Sequence, residues 1–313
     1  MNQTILSIKN LVKRYGSSER NAVDDISFNV NAGELFCLLG VNGAGKSTTI
    51  NIICTLVEKT KGEVVFDGLT LGKDDDAIRR RIGVVFQGNV LDAVLSAKEN
   101  IMSRAAFYGL SKSKGKERTE YLAEKLSMTS FLGQRYEKLS GGQRRKCDIA
   151  RALLAEPKIL FLDEPTTGLD PQSRIELWET IDEIRKNDQM TVFLTTHYME
   201  ETDTADRVAI IDNGKVLCID TPQRLKTEHS NDTLKLVVKN SCNAEVERYL
   251  ESHEVKRHLK DFELVADTYI IKMKNGIDAI ELLPQIKPYL DSFEMEKGNM
   301  DNVFLNVVGR KAE

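Results

Sequence analysis

Gly40-Val41-Asn42-Gly43-Ala44-Gly45-Lys46-Ser47 follows directly on the apolar run Leu35–Leu39 and leads into a helix-patterned segment reaching about residue 56. Glycines at this spacing, closed by Lys-Ser, fit the phosphate-binding loop GxxxxGK[ST] in its required context, after a strand and at a helix start. Glycine lets the backbone curl until successive N–H groups point inward as an anion nest, and the helix N-terminus adds partial positive charge. Gly40, Asn42, Gly43, Ala44 and Gly45, with Thr48 beside them, are therefore expected to wrap phosphates. Lys46 would reach the β- and γ-phosphates, and the Ser47 hydroxyl would bind Mg2+. A plain glycine-rich turn before a helix is the competing reading, and it leaves the preceding strand and the terminal Lys-Ser unexplained.

A bound Mg2+-nucleotide needs a second, acidic site, because Mg2+ prefers hard oxygen ligands and a nucleophilic water must be oriented. Ile159-Leu160-Phe161-Leu162-Asp163-Glu164 supplies both acids at one strand end. Asp163 is the expected metal-holding carboxylate, and Glu164 the base that polarises water. Alone, an apolar strand ending in two acids is a weak signal, since surface turns also carry acids. The phosphate-binding loop makes it informative.

Outward from these motifs, residues 5–11, 22–30, 34–39, 62–66 and 82–86 read as strands bounded by Gly, Asn and Asp, with one clear helix after Gly45. Residues 97–126 turn helical and charged, with Lys- and Ser-rich turn material at 111–116, and look like an inserted helical subdomain over about 89–146. Alternation then returns as helix 142–154, strand 159–162, helix 171–186 and strand 191–195. Such alternation with near-continuous apolar strands argues an α/β fold with a parallel sheet covered on both faces. Beyond about residue 228 the composition shifts to Lys, Glu, Asn and Asp, with short strands at 234–238, 262–266, 269–273 and 292–296 and helices at 244–252 and 276–290. The expected domains are 1–228 and a small α+β domain at 229–313.

Leu139-Ser140-Gly141-Gly142-Gln143 matches the LSGGQ signature of ABC ATPases, which other phosphate-loop proteins lack, and the chain resembles that family over about residues 5–226. The resemblance implies a P-loop NTPase of the ABC kind: a parallel core, an antiparallel β-subdomain and the inserted helical subdomain. It implies ATP and Mg2+ as ligands, and two such domains meeting head to tail with ATP between the P-loop of one and the signature of the other. Ser140, Gly141, Gly142 and Gln143 at a helix start suit contact with a γ-phosphate; by itself LSGGQ would be a plain helix cap. Tyr15 resembles the aromatic that stacks on adenine, although an aromatic near a strand end is commonly core. Gln87 resembles the Q-loop glutamine that contacts Mg2+ and the attacking water beside the permease. Asp170, in Gly168-Leu169-Asp170, resembles the D-loop that reaches across the dimer, and His197 the switch histidine on the γ-phosphate.

Within the family, Thr195-Thr196-His197-Tyr198-Met199-Glu200-Glu201 and the tail Met300-Asp301-Asn302-Val303-Phe304-Leu305 are similar to the drug-resistance and ABC-2 exporter subgroup. Cys147-Asp148, where that subgroup often has Leu-Glu, and the variable segment 89–94 are departures that bear on substrate. The partners implied are a membrane-spanning permease and a second copy of this chain or a similar ATPase subunit, at the inner face of the cell membrane. Three alternatives stay open: an ABC ATPase acting on ribosomes or DNA, an importer motor, and an ATP sensor without turnover.

Composition sets limits on these readings. A chain of 313 residues, 41% hydrophobic and 29% charged, has room for a large core plus an appendage. Its longest apolar runs are strand-sized, far below the ~18–20 residues needed to cross a bilayer. The start of the chain lacks a basic, apolar and small-residue leader, so it is expected to stay inside the cell. Net charge is −4 and pI about 5.8, which removes any global electrostatic case for nucleic acid. Cys37, Cys54, Cys147, Cys218 and Cys242 show no CxxC or histidine spacing and read as buried reduced thiols.

Overall fold

The computed structural model describes residues 3–88, 90–239 and 242–309, apart from the side chains at 187 and 188. Asn89, where the expected helical subdomain begins, lies outside the described residues. The chain divides into two compact units, Met1–Ile219 and Asp220–Glu313.

The first unit runs β1 (Thr4–Lys13), β2 (Val23–Asn31), β3 (Leu35–Leu39), α1 (Lys46–Ile53), β4 (Lys61–Phe66), β5 (Leu69–Thr70), α2 (Asp75–Arg79) and β6 (Ile82–Val85). The helices α3 (Ala97–Phe107), α4 (Lys112–Lys125) and α5 (Gly141–Leu153) follow. The chain then forms β7 (Ile159–Asp163), α6 (Pro171–Asp188), β8 (Thr191–Thr196), β9 (Arg207–Asp212) and β10 (Lys215–Asp220). One sheet has the order β2-β1-β4-β5, with β1 antiparallel to β2 and β4. The other has the order β10-β9-β3-β8-β7-β6, and its strands from β9 to β6 run parallel. Every residue of β3, β7 and β8 is buried, as a strand covered on both faces requires. Phe28 of β2 stacks on Phe36 of β3 at 5.1 Å, and Phe193 of β8 lies 5.4 Å from both Phe36 and Phe161 of β7. This aromatic row joins the two sheets into one core.

Two local expectations are corrected here. Residues 111–116 are no turn: the Ser111 hydroxyl accepts the Lys114 N–H at 3.3 Å, so Ser111 is the N-cap of α4 and its lysines form the first turn. Gly115 is part of that helix because a Cβ there would stand 3.1 Å from Ala105 Cβ of α3; its job is close packing. The helix after Gly45 also has company in the first third, since α2 forms a short helical turn at Asp75–Arg79.

In the second unit, α7 (Pro222–His229), β11 (Thr233–Val238), α8 (Asn243–Glu251), α9 (His253–Lys256), β12 (Leu259–Val265), β13 (Thr268–Met273), α10 (Ala279–Ile286), β14 (Leu290–Glu296) and α11 (Met300–Gly309) follow in turn. The antiparallel sheet β12-β13-β11-β14 and its intervening helices make a β-α-β-β-α-β arrangement of ferredoxin-like type. Leu234, Leu236 and Val238 alternate with half-buried neighbours and join Val246, Leu250, Leu282 and Ile286 in a separate core. The break between units falls at Ile219 rather than 228 because α7, capped by Thr221, packs with α11. The helix expected at 276–290 is three pieces, with Pro284 inside α10 and Pro288 in the tight turn Lys287–Tyr289.

Gly83 of β6 fixes how closely the helical segment approaches the core sheet. A Cβ there would lie 2.6 Å from Ala152 O of α5. Gly83→Ala is therefore expected to cost roughly 1–3 kcal/mol as overpacking, read from urea unfolding, and a mutant as stable as wild type would refute this contact.

Candidate active site

β3 ends in the middle of the parallel sheet, and the chain leaves it through the loop that reaches α1. Gly40 is there because a Cβ would meet Ile211 O of β9 at 2.4 Å. Gly45 has φ +109 and would put a Cβ 2.5 Å from Ala22 O, so no other residue fits that turn. Asn42, Gly43, Gly45, Lys46, Ser47 and Thr48 line an open cleft of about 260 Å3, together with Ala22, Gln87 and Glu164. Ala44 is buried beneath the loop.

The side chains converge on two acids at the end of β7. Lys46 Nζ donates to Gly40 O at 2.8 Å and Val41 O at 3.2 Å, and forms an ion pair with Glu164 Oε1 at 3.1 Å. Glu164 Oε2 accepts from Gln87 Nε2 at 3.2 Å and Thr167 Oγ1 at 3.3 Å. His197 Nδ1 stands 3.1 Å from the same oxygen, without the angle of a hydrogen bond. Burial opposes the Glu164 charge, but Lys46 and His197 outweigh it and hold the carboxyl below its ordinary range. Beside it, Asp163 Oδ1 accepts from Ser47 Oγ at 3.2 Å and Thr195 Oγ1 at 2.6 Å. One carboxylate thus faces hydroxyl oxygens at the loop, and the other faces a lysine, an amide and an imidazole.

The family model described as ABC transporter matches residues 23–167. The linearmycin resistance ATP-binding protein LnrL of Bacillus subtilis is 34% identical over 317 residues, covering 98% of this chain and 99% of the relative.

The chain belongs to the ABC transporter family.

It is an ATPase, the ATP-hydrolysing motor subunit of an ABC transporter. The daunorubicin/doxorubicin resistance ATP-binding protein DrrA of Streptomyces peucetius is 35% identical over 306 residues, 97% of this chain and 92% of the relative. Among solved structures, the ABC cassette MJ0796, a dimer in a post-hydrolysis state bound to ADP and Pi, superposes with TM-score 0.63 at 30% identity, covering 69% of this chain and 98% of the cassette. Part of the cbiONQ transporter of Clostridium perfringens, cbiO1, gives TM-score 0.68 at 28% identity over 72% of this chain and 92% of its own.

The other ABC motifs stand apart from this cleft. Tyr15 is 46% exposed with Lys13 Nζ 4.8 Å from its ring centre, so it is no core residue, and it is not among the residues lining the cleft. Ser140 caps α5 in a reciprocal box: its hydroxyl accepts the Gln143 N–H at 3.3 Å, and Gln143 Oε1 accepts the Ser140 N–H at 3.0 Å. Gly141 and Gly142 are set by packing, since added Cβ atoms would stand 3.1 Å from Leu169 Cδ2 and 2.9 Å from Ser173 Oγ. Asp170 caps α6, accepting from the Ser173 hydroxyl at 2.7 Å and its N–H at 3.0 Å, which hold its carboxyl below the ordinary range. Signature and D-loop therefore lie side by side within the chain, with Ser140, Gly141, Gly168 and Asp170 exposed and Gly142 and Gln143 half-buried.

Sequence reading missed the residues that fix the motifs to each other. Arg145, buried on α5, donates to Phe86 O at 2.7 Å and Gln87 O at 3.4 Å, and Arg151 bonds Val84 O. These two arginines fasten the helix behind the signature to the strand that carries Gln87. Arg145 is the buried middle member of the basic run Arg144-Arg145-Lys146, in which Arg144 donates to Leu139 O at 3.0 Å and Glu137 O at 2.8 Å and Lys146 is half-buried. Burial pushes the neighbouring Asp148 carboxyl up to about 6, against the pull of Arg145 and Arg151. Burial likewise raises Cys147, to about 12, while Cys218 and Cys242 are only half-buried. A larger cleft, about 880 Å3, runs along α6 and the turn Met199–Thr204. None of the residues of the loop Gly40–Thr48 lines it.

Lys46→Met leaves burial as the larger influence on Glu164, so its carboxyl is expected to titrate at higher pH. In the wild type the lowered pKa stabilises the fold above the unfolded-state value, and this is lost as pH falls through the folded value. The mutant should show less of that acid dependence. Carboxyl 13C shifts followed against pH measure it, and an unmoved Glu164 titration would exclude the ion pair as its cause.

Proposed function

We propose that this ATPase drives an exporter of antibiotic-like compounds, and that its catalytic centre is the cluster of Lys46, Gln87, Glu164 and His197 around one carboxylate. The observation that carries the chemistry is the gathering of Lys46, Gln87, Thr167 and His197 on Glu164. The cargo class rests on the resistance proteins, which align with both units of this chain.

In this reading the loop from Gly40 to Thr48 holds the phosphates of ATP, and Tyr15 supports the adenine. The Ser47 hydroxyl, the Asp163 carboxylate and the Gln87 amide oxygen are hard oxygen donors that fit Mg2+, which keeps several waters of its own. Bound there, Mg2+ neutralises charge on the phosphates. Glu164 orients and polarises the attacking water, Lys46 balances charge on the β- and γ-phosphates, and His197 stands where the γ-phosphate is approached. Catalysis is then mainly positioning and charge neutralisation. Glu164, kept ionised by its neighbours, presents a carboxylate that can accept a hydrogen bond from the attacking water.

Ser140 to Gln143 and Asp170 serve a second subunit. The helix start behind Ser140 presents N–H groups and partial positive charge to a γ-phosphate held by the partner's loop. Two copies, or one copy with a similar subunit, close around two ATP and reopen after hydrolysis. Among the described residues no helix is long and apolar enough to cross a membrane; in this reading a separate permease provides the path and this subunit works at the membrane's inner face.

Glu164→Gln should lower ATP turnover roughly 10^2–10^4-fold while leaving nucleotide binding intact. Loss of binding along with turnover would point to a structural role. The same variant with ATP, tagged and recovered from detergent-solubilised membranes, is expected to bring down a polytopic membrane protein. Cells carrying the wild-type subunit and that permease should keep less of an antibiotic than cells carrying the variant. Recovery of ribosomes or DNA-bound factors in place of a membrane protein would defeat the exporter reading, and greater retention in wild-type cells would favour import.

A further inference from the structure

Resting on the metal and base assignments just proposed, we propose that Thr195 is a positioning residue for both acids: its hydroxyl orients Asp163 toward the metal ion, and its backbone carbonyl holds Glu164 in place. Thr195 is fully buried on β8, between β3 and β7, opposite Leu38 on one side and Asp163 on the other. Its Oγ1 donates to Asp163 Oδ1 at 2.6 Å, the shorter of the two hydrogen bonds that oxygen accepts, the other coming from Ser47 at 3.2 Å. Two donors fill the two lone pairs of Oδ1, so a cation or its water is left Oδ2. Ser47 belongs to the mobile chemistry of the site, because its hydroxyl must turn to a metal ion. Thr195 has no such second duty, and with water excluded its bond persists when the Ser47 bond is rearranged.

The same residue governs the next acid. Glu164 has φ +47, a left-handed conformation uncommon for a residue with a side chain. Its N–H donates to Thr195 O at 3.0 Å and approaches Thr195 Oγ1 at 3.3 Å. That bond fixes the turn at the end of β7, which sends the Glu164 side chain toward Lys46 while Asp163 points at Ser47. A β-branched residue suits the place: Thr has restricted χ1 rotamers in a strand, so the hydroxyl stays aimed at Asp163. Valine has the same shape without the donor. A threonine that merely satisfied its own hydroxyl in the core would affect stability alone.

Thr195→Val and Thr195→Ser separate these roles. The probe is Mn2+, titrated by electron paramagnetic resonance with a non-hydrolysable ATP analogue, alongside fluorescent nucleotide binding in EDTA. Thr195→Val is expected to bind Mn2+ about 10–100-fold more weakly, the size of effect that removing an outer-shell partner of a metal ligand produces. Nucleotide binding without metal should stay as in wild type, and Thr195→Ser should retain Mn2+ affinity within a few-fold. Equal Mn2+ affinity in wild type and Thr195→Val overturns the proposal, as does equal loss in the Val and Ser variants, since then the hydroxyl is not what matters. Failure of the wild-type protein to take up Mn2+ with the analogue overturns the metal assignment of Asp163 itself, and this proposal with it.

Discussion

Lys46 and Glu164 are buried against each other with 3.1 Å between Nζ and Oε1, and the cluster of side chains around them depends on that ion pair. Taking the two charges out of water costs several kcal/mol per ion, and their attraction offsets this only when further hydrogen bonds complete both groups. Lys46 finds two carbonyls in the loop, and Glu164 finds Gln87 and Thr167. The arrangement demands that β3 and β7 flank β8 in one register, because Lys46 follows β3 and Glu164 follows β7. A slip of either strand would leave a charge buried without its partner.

The helix behind the signature is tied to the same place from the other side. Arg145 and Arg151 reach from α5 to the carbonyls of Phe86, Gln87 and Val84, which fastens α5 to the end of β6. Gly83 allows that approach and Gly142 allows α5 to lie on Ser173 of α6. Gln87 touches Glu164 at one end of this linkage, and Ser140 stands exposed at the other. Within one chain, a run of hydrogen bonds thus joins the helix behind the signature to the residues around Glu164.

The unit from Asp220 to Glu313 has its own sheet and core and carries none of the nucleotide-site residues. The tail element Met300-Asp301-Asn302-Val303-Phe304-Leu305 is the start of α11, with Met300, Val303 and Phe304 buried and Leu305 68% exposed. Its subgroup-like sequence is thus a packing face of this unit.

The phosphate-binding loop, the two acids after β7, the signature, and the parallel character of the sheet were legible in the sequence, because each is local: glycine spacing, a strand end, a helix cap and unbroken apolar runs. Most strands were legible for the same reason, although β5, β9 and β10 were not assigned, and composition misled where polar residues build helices, as at Ser111 and in α2. The tertiary structure decided which motifs meet. Lys46, Ser47, Gln87, Asp163, Glu164 and His197 come together, while Ser140, Gly141, Gly142, Gln143 and Asp170 form a separate surface, and Tyr15 lies outside the cleft. Only the fold brings Thr195 and Arg145 to the site, for a threonine in an apolar strand and an arginine in a basic run carry no local mark of such a place. Their partners lie 32 and 59 positions away in the sequence, at distances that strand order and burial alone bring within hydrogen-bond reach.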